Sequence, residues 1–150
     1  MFDSFDTKSR RTVVLAQEEA RSSGSSEVTT SHLLYALAWI PDTGARAVLA
    51  ALGVTPEEIR DKFVQGGVEH RSTPLSSGLK RVLTQCGLEA SRSGVATKPV
   101  DLLAGLVQIG EGSGVDLLEA LGVSQVSVKE MLERYGWEAS SDSGSASTAL

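Results

Sequence analysis

Reactive side chains are few in this chain, and the adjacent pair Ser31 and His32 is the most suggestive of them. A hydroxyl beside an imidazole is the combination used in nucleophilic hydrolysis. Adjacent residues on a helix, however, point about 100° apart, so sequence adjacency alone does not bring the two groups together. We therefore expect His32 to pack or to cap the start of a helix. His70 lies in a glycine- and serine-containing stretch, where we expect it to be solvated.

Other patterns that could perform chemistry are also explained by structure. The only cysteine, Cys86, lies on an apolar helical stripe with Val82, Leu83 and Ala90, which predicts a small core residue and excludes an internal disulfide. The glycine-rich run from Gly110 to Gly114 lacks the lysine of a phosphate-binding loop, so we interpret it as a turn. No metal-ligand spacing is present. The sequence predicts no enzyme activity, no cofactor and no metal site.

Composition limits the remaining classes of protein. With 150 residues, 41% of them hydrophobic, the chain can bury one core, as one domain or as two half-domains that share it. A net charge of −5 argues against nucleic-acid binding. The acidic start and the absence of a long apolar run indicate neither a signal peptide nor a membrane span. We expect a monomeric cytoplasmic protein in which Trp39 and Trp137 are packing residues.

The chain contains an internal repeat. The residues SHLLYAL from Ser31 return in degraded form as VDLLAGL from Val100, and LAALGV ending at Val54 returns as LEALGV ending at Val123. Further matches lie upstream, where the two copies are separated by one residue more than in the matches above. They pair Arg10-Arg11 with Lys80-Arg81, and Glu19-Ala20 with Glu89-Ala90. Two copies of one helical unit without a reactive cluster indicate a scaffold that binds something.

Apolar residues recur at helical spacing almost throughout, and the alternation typical of strands is absent. The pattern predicts an all-α fold with four helices per copy, at 7–22, 30–40, 44–52 and from 55 in the first, and at 79–92, 99–109, 114–121 and 124–135 in the second. Thr55, Pro56 and Glu58 form a capping box that begins the fourth helix. Gly53 and Gly122 stand at matching helix ends.

These patterns also predict the domain organisation. We expect one domain over residues 1–136, with repeat one at 5–65, a linker at 66–76 that is rich in turn residues, and repeat two at 77–136. Residues 137–150 are mainly serine, glycine and alanine. They have too little apolar surface to offset the entropy of ordering, so we expect a disordered polar tail.

In order and spacing, these motifs resemble the double Clp-repeat N-terminal domain of the ClpC-type Clp ATPases, most closely its actinobacterial versions. Met1-Phe2, Phe5 and the stretch RRTVVLAQEEAR from Arg10 carry the first part of the resemblance. The family's G-T-E-H-I-L-L-G-L signature appears as TTSHLLYAL from Thr29 and, eroded, as KPVDLLAGL from Lys98. The resemblance covers about residues 1–136 and implies two pseudo-symmetric four-helix Clp repeats packed as one domain.

The resemblance also implies two kinds of ligand site. In the family, the glutamate of G-T-E-H helps to bind phosphoarginine once per repeat. Ser31 and Val100 stand at the glutamate positions here, and with the preceding Thr30 and Pro99 they form the eroded phosphoarginine positions. A serine or valine cannot make the bidentate contact of a carboxylate with a guanidinium, so we expect little phosphoarginine binding.

Actinobacterial relatives bind cyclic peptide antibiotics between the start of helix one and the start of the second repeat. The matching positions are Phe2, Arg10, Val13, Val14, Leu75, Lys80, Leu83 and Thr84. We expect the apolar members of this set to form a partly exposed patch bordered by Arg10 and Lys80, although Val13 and Leu83 also suit core positions. Phe2 and Phe5 either cover an end of the core or line this groove.

The first functional hypothesis is a stand-alone, non-catalytic Clp N-domain protein. It would bind Clp adaptors, substrate proteins, cyclic peptides or ClpC itself, as an accessory or a decoy, because a preserved scaffold appears without a Walker motif. The alternative is the recognition domain cut from a full-length ClpC-type unfoldase. A third hypothesis, from another class, is a small hydrolase that uses Ser31 and His32.

Overall fold

A computed structural model describes residues 4–63 and 73–136 of the chain. Eight helices occupy these ranges. They are α1 (Thr7–Ser22), α2 (Thr30–Trp39), α3 (Gly44–Ala51) and α4 (Pro56–Asp61) in repeat one, and α5 (Ser77–Ser93), α6 (Pro99–Ile109), α7 (Ser113–Ala120) and α8 (Gln125–Arg134) in repeat two. Neither range contains a strand, and the predicted all-α fold is confirmed.

Local capping chemistry explains where the helices begin and end. The predicted capping box is present: the amide of Glu58 donates to Thr55 Oγ1 at 3.2 Å, and the amide of Thr55 donates to Glu58 Oε1 at 3.3 Å. Gly53 and Gly122 have φ values of 80° and 82°, a left-handed conformation that ends α3 and α7 at low cost. These signals are local, which is why the sequence predicts the helix limits well.

The two repeats exchange backbone hydrogen bonds reciprocally. The amide of Asp6, before α1, donates to the carbonyl of Thr97, before α6, at 2.9 Å. The amide of Ser76, before α5, donates to the carbonyl of Val28, before α2, at 2.8 Å. Each repeat is thus completed by a segment of the other. The fold is thus two pseudo-symmetric four-helix repeats packed as one domain, as predicted.

The core is centred on α2 and α6. Helix α2 packs against α1, α3, α4 and α7, and α6 packs against α5 and α8. The fully buried leucines of the two helices are Leu33, Leu34, Leu37, Leu102, Leu103 and Leu106. Trp39, predicted to be a packing residue, is 49% exposed in the last turn of α2 although its neighbours Ala38 and Ile40 are buried. Its ring stacks on Tyr35 with 6.4 Å between centroids.

An ion pair holds the short helix α4 to α1. Glu19 is buried, and its carboxylate accepts from Nε and Nη2 of Arg60 at 2.9 and 2.8 Å. The same Nη2 donates to the hydroxyl of Tyr35 on α2 at 2.6 Å. The bidentate geometry raises the pKa of Arg60, chiefly through the hydrogen bond to Glu19. Three helices of repeat one therefore meet at one guanidinium.

The predicted domain limits stay predictions. The disordered tail at 137–150 and most of the linker at 66–76 lie outside the described residues, as do Phe2, His70 and Trp137. None of the helices in the described ranges is long and apolar enough to cross a membrane.

Candidate functional site

His32 caps α2, as expected, and is not positioned for catalysis. Its Nδ1 accepts a hydrogen bond from the amide of Thr29 at 2.9 Å, and its ring contacts Phe63 with 4.9 Å between centroids. Burial lowers the pKa of His32 to about 4, so the ring is neutral near pH 7. The nitrogen that would take a proton from a serine is therefore engaged with the backbone, which weighs against the hydrolase hypothesis.

Cys86 packs in the core, as predicted. Burial raises the pKa of its thiol to about 12, which leaves almost no nucleophilic thiolate near neutral pH. Residues 4–63 and 73–136 contain no group of three or more histidine, cysteine or acidic side chains that could hold a metal ion.

The surface expected to bind cyclic peptides is only partly accessible. Val13 is 3% exposed and Leu83 is 0% exposed, so the expectation that they belong to an exposed patch is wrong. They occupy equivalent positions on the inward faces of α1 and α5 and belong to the core. Arg10, Val14, Lys80 and Thr84 are exposed and Leu75 is half-buried, while Phe2 lies outside the described residues. Phe5 is buried and covers the core.

Thr30, one of the eroded phosphoarginine positions, has a structural contact across the two repeats. Its Oγ1 accepts from the amide of Gly114 at 2.8 Å, in the first turn of α7. The residue that precedes α7, Gly112, has no side chain to cap the helix. The equivalent residue before α3 is Thr43, which caps its own helix by accepting from the amide of Arg46 at 3.1 Å. Thr30 therefore supplies a cap that repeat two lacks.

The approach of α2 to α7 is close. A β-carbon on Gly114 would lie 2.8 Å from the carbonyl oxygen of Thr30, so only glycine fits at this position. Ser31 follows Thr30, and its amide donates to Ser113 Oγ at 3.3 Å. The first turns of the two helices thus form one closely packed junction.

A cleft of about 550 Å³ opens beside this junction, and we call it the interrepeat cleft. The end of α1, the start of α2, the residues after α4 and one face of α7 form its walls. The lining residues are Ser23, Gly24, Ser25, Thr29, Ser31, His32, Lys62, Phe63, Ser113, Asp116, Leu117 and Ala120. Hydroxyl groups predominate, with an apolar strip from Phe63, Leu117 and Ala120, one ammonium and one carboxylate. Walls that combine apolar surface with a few polar groups are typical of ligand-binding sites.

The pseudo-equivalent place, between α6 and α3, has different chemistry. Val100 stands where Ser31 stands in repeat one, and a β-carbon on Gly44 would lie 2.6 Å from Val100 Cγ1. Val100 therefore packs directly onto the start of α3. The counterparts of Asp116 and Lys62 are Ala47 and Met131. Polar and charged groups are concentrated at one of two places related by the internal symmetry.

A second cleft, of about 440 Å³, lies within repeat one beside the exposed Trp39. Pro41, Ala50, Val54 and Pro56 also line it. The positions in repeat two that correspond to Trp39, Pro41, Ala50 and Pro56 are Gln108, Gly110, Glu119 and Gln125. This apolar cleft is therefore a property of repeat one and not of the repeat fold.

The sequence analysis named Ser31 as a candidate binding residue, but it did not identify the other main residues of the interrepeat cleft. Lys62, Phe63 and Asp116 belong to no motif, and they meet Ser31 only because α7 of one repeat packs on α2 of the other. A comparison of the two copies would have given one signal, because the exposed Asp116 of repeat two corresponds to an alanine, Ala47, in repeat one.

Comparison with known proteins agrees with this geometry. The sequence model of the protein family described as the Clp repeat (R) N-terminal domain matches residues 4–101 of this chain. The chloroplastic chaperone protein ClpC of Pisum sativum is 31% identical over 154 residues, which cover 97% of this chain. The chain spans only 16% of the length of that relative.

Two solved structures share the fold. The N-terminal domain of ClpD from Arabidopsis thaliana has a TM-score of 0.68 at 21% identity, covering 89% of this chain and 98% of that one. The ClpV N-domain in complex with a VipB peptide has a TM-score of 0.63 at 16% identity, covering 88% and 89%. The sequence match, the internal repeat and the eight-helix fold agree: the chain belongs to the Clp repeat (R) N-terminal domain family.

Proposed function

We propose that this chain binds a peptide segment of an adaptor or substrate protein in the interrepeat cleft and catalyses no reaction on it. One observation carries the proposal: the cleft is open and polar at Ser31, within the family signature, whereas Val100 packs onto Gly44 at the equivalent place. The ClpV N-domain, which shares the fold, has been solved with a VipB peptide, and this supports a peptide as the ligand class.

The difference between the two repeats determines how many peptides we expect each chain to bind. The α2–α7 side offers hydrogen-bonding groups and charges, and the α3–α6 side offers Val100, Ala47 and Met131 in their places. We therefore expect one peptide per chain, although the fold has two pseudo-equivalent places.

Two forms of this binding role are possible within the Clp system. Acting in trans, as an accessory or a decoy, the chain would compete with the N-domain of a ClpC-type ATPase for the same peptide. Acting as the recognition domain of a longer unfoldase, it would deliver that peptide to the motor. Competition for one fluorescent peptide tests the first form, and the reading frame after residue 150 in the gene tests the second.

Two ligands suggested by the family resemblance remain separate proposals. Phosphoarginine binding is expected to be weak, because Ser31 and Val100 lack the carboxylate that pairs with a guanidinium. A cyclic peptide would have to bind on Arg10, Val14, Leu75, Lys80 and Thr84, since Val13 and Leu83 are in the core. Calorimetric titration of each compound measures both affinities.

Selection from a random peptide library on the immobilised full chain tests the proposed function, followed by calorimetry of the selected peptides. We expect dissociation constants in the micromolar range and one peptide per chain. Failure to enrich any peptide, or binding of two equivalents with equal affinity, would contradict the proposal.

A further inference from the structure

We infer that the cleft beside Trp39, which we call the Trp39 cleft, is a second docking site for a partner protein. Its occupant is an extended segment in which an apolar residue lies between an acidic residue and a basic one. The cleft has a volume of about 440 Å³ and shares no lining residue with the interrepeat cleft. The inference therefore goes beyond the proposed function and does not depend on it.

Trp39 is a half-exposed side chain with well-defined support. Its ring is 49% exposed and stacks on Tyr35 with an angle of 11° between the two planes. Tyr35 is itself buried, and its hydroxyl accepts from Nη2 of Arg60 at 2.6 Å, while Arg60 is paired with Glu19. The indole is thus positioned before a partner binds, which lowers the entropic cost of association. Tryptophan is among the side chains that contribute most to protein–protein binding.

The corresponding place in repeat two is closed by a hydrogen bond. Gln125, the counterpart of Pro56, donates from Nε2 to the carbonyl of Gly110 at 3.4 Å. Gly110 is the counterpart of Pro41, and a β-carbon on it would lie 3.2 Å from Gln125 Oε1. Proline has no polar side-chain atom, so Pro41 and Pro56 cannot form this bridge. The Trp39 cleft of repeat one therefore stays open.

Two side chains of opposite charge line the Trp39 cleft. Arg46 lies in the first turn of α3 and Glu57 in the first turn of α4, and both are exposed. The ion pairs within residues 4–63 and 73–136 involve other residues. Glu58, the next acid along the chain, is engaged in the capping box of α4. The counterparts of Arg46 and Glu57 in repeat two are Val115 and Val126, so the two charges are specific to the open cleft.

These charges define the occupant of the Trp39 cleft. An apolar side chain can pack against Trp39 and the two prolines, and apolar surface with a polar border is typical of interaction sites. A purely apolar segment would leave both Arg46 and Glu57 without a partner. A segment with an acid on one side of its apolar residue and a base on the other can pair with both charges. A segment with two acids or two bases would place like charges together at one of them.

Nuclear magnetic resonance titration of the full chain with designed peptides tests this inference. The probes are acetylated, amidated peptides Ala-X-Pro-Leu-Pro-Z-Ala, in which the prolines favour an extended backbone. X and Z are Asp and Lys in either order, two Asp, two Lys, or Asn and Gln. The indole N–H signal of Trp39, identified by its loss in Trp39→Gln, should show saturable shifts with at least one mixed-charge peptide. The doubly acidic, doubly basic and neutral peptides should bind at least tenfold more weakly.

Substitutions that reverse one charge provide the sharpest control. Arg46→Glu should change the preference to the doubly basic peptide, and Glu57→Lys should change it to the doubly acidic one. Both side chains are exposed, so parental melting temperatures are expected. Ala50→Glu should weaken mixed-charge binding at least tenfold, because it adds a carboxylate one turn after Arg46 on the cleft wall. Tyr135→Gln, which removes an exposed aromatic ring outside the cleft, should leave binding unchanged.

Equal affinity of the parent for the mixed-charge and neutral peptides would overturn the inference. So would an unchanged preference in folded Arg46→Glu and Glu57→Lys proteins. Shifts that depend on the concentration of the chain itself and disappear in Trp39→Gln would assign the cleft to a second copy, which also overturns it. Ala120→Trp, which fills the interrepeat cleft, should leave the affinities of these probes unchanged. Failure of the proposed function and failure of this inference are therefore distinguishable.

Discussion

At the scale of single residues, two neighbouring positions of the family signature have separated roles. Thr30 contributes a hydrogen bond to the junction between repeats, and the side chain of Ser31 lines the cleft. The sequence indicated that Ser31 replaces the glutamate of the family signature, whereas Thr30 keeps its threonine. It did not indicate the helix cap, because Thr30 and Gly114 are distant in sequence and meet only in the folded chain.

Thr30→Val should destabilise the protein by about 1–2 kcal/mol, because it removes the acceptor that caps α7 and keeps the volume of the side chain. Urea unfolding followed by circular dichroism measures the change. Thr30→Ser retains the hydroxyl and should stay within about 0.5 kcal/mol of the parent. Equal stability of the valine variant and the parent would show that the cap is not needed.

His32 should make the stability depend on pH in a defined window. Its pKa is 6.5 in the unfolded chain and about 4 in the folded one. Between these values the unfolded chain binds a proton that the folded chain does not, so the free energy of unfolding falls as the pH drops from 6.5 towards 4. The loss between pH 7 and pH 4.5 should be about 2 kcal/mol.

His32→Gln isolates this contribution, because glutamine can still accept from the amide of Thr29 and does not titrate. As the pH falls from 7 to 4.5, the free energy of unfolding of the parent should therefore decrease by about 2 kcal/mol more than that of the variant. Parallel pH profiles for the two proteins would show that His32 does not titrate with a depressed pKa.

At the scale of helices, caps and packing account for different parts of the structure. Helix limits are predictable because Thr55, Glu58 and Gly53 act on their own neighbours along the chain. The position of α4 against α1 is not predictable in the same way. It depends on Glu19 and Arg60, which are far apart in sequence, and the same guanidinium also donates to Tyr35 of α2.

Arg60→Ala should lower the unfolding free energy by about 2 kcal/mol, because it leaves the buried carboxylate of Glu19 without its bidentate partner. Arg81→Ala is the matched control, since Arg81 and Glu111 form an exposed ion pair, and it should cost less than about 1 kcal/mol. Chemical unfolding of both variants at low salt makes the comparison. Similar costs for the two variants would contradict a special role for the Glu19 pair.

At the scale of the whole molecule, the reciprocal exchange of segments makes the two repeats interdependent. The repeat spacing in the sequence predicts two similar units, and the fold confirms them. The exchange itself leaves no such signal, since the bonds of Asp6 to Thr97 and of Ser76 to Val28 use backbone atoms. The same packing places α7 on α2, and this is why the site could be only partly predicted.

Fragments 1–72 and 73–150 should therefore be unfolded when they are separate, because each lacks the segments that the other supplies. Mixing them in equal amounts should restore helical circular dichroism and a cooperative thermal transition. Cooperative unfolding of either fragment alone would show that one repeat is self-sufficient.

The central claim is that one of two pseudo-equivalent places binds the peptide, and a pair of matched substitutions tests it most directly. Ala120 lines the interrepeat cleft, and its counterpart on α3 is the exposed Ala51. The measurement is the affinity of a library-selected peptide, by calorimetry, for Ala120→Trp and Ala51→Trp proteins with parental melting temperatures. We predict at least a tenfold loss for Ala120→Trp and unchanged affinity for Ala51→Trp. Unchanged affinity for Ala120→Trp, or a comparable loss in both, would contradict the claim.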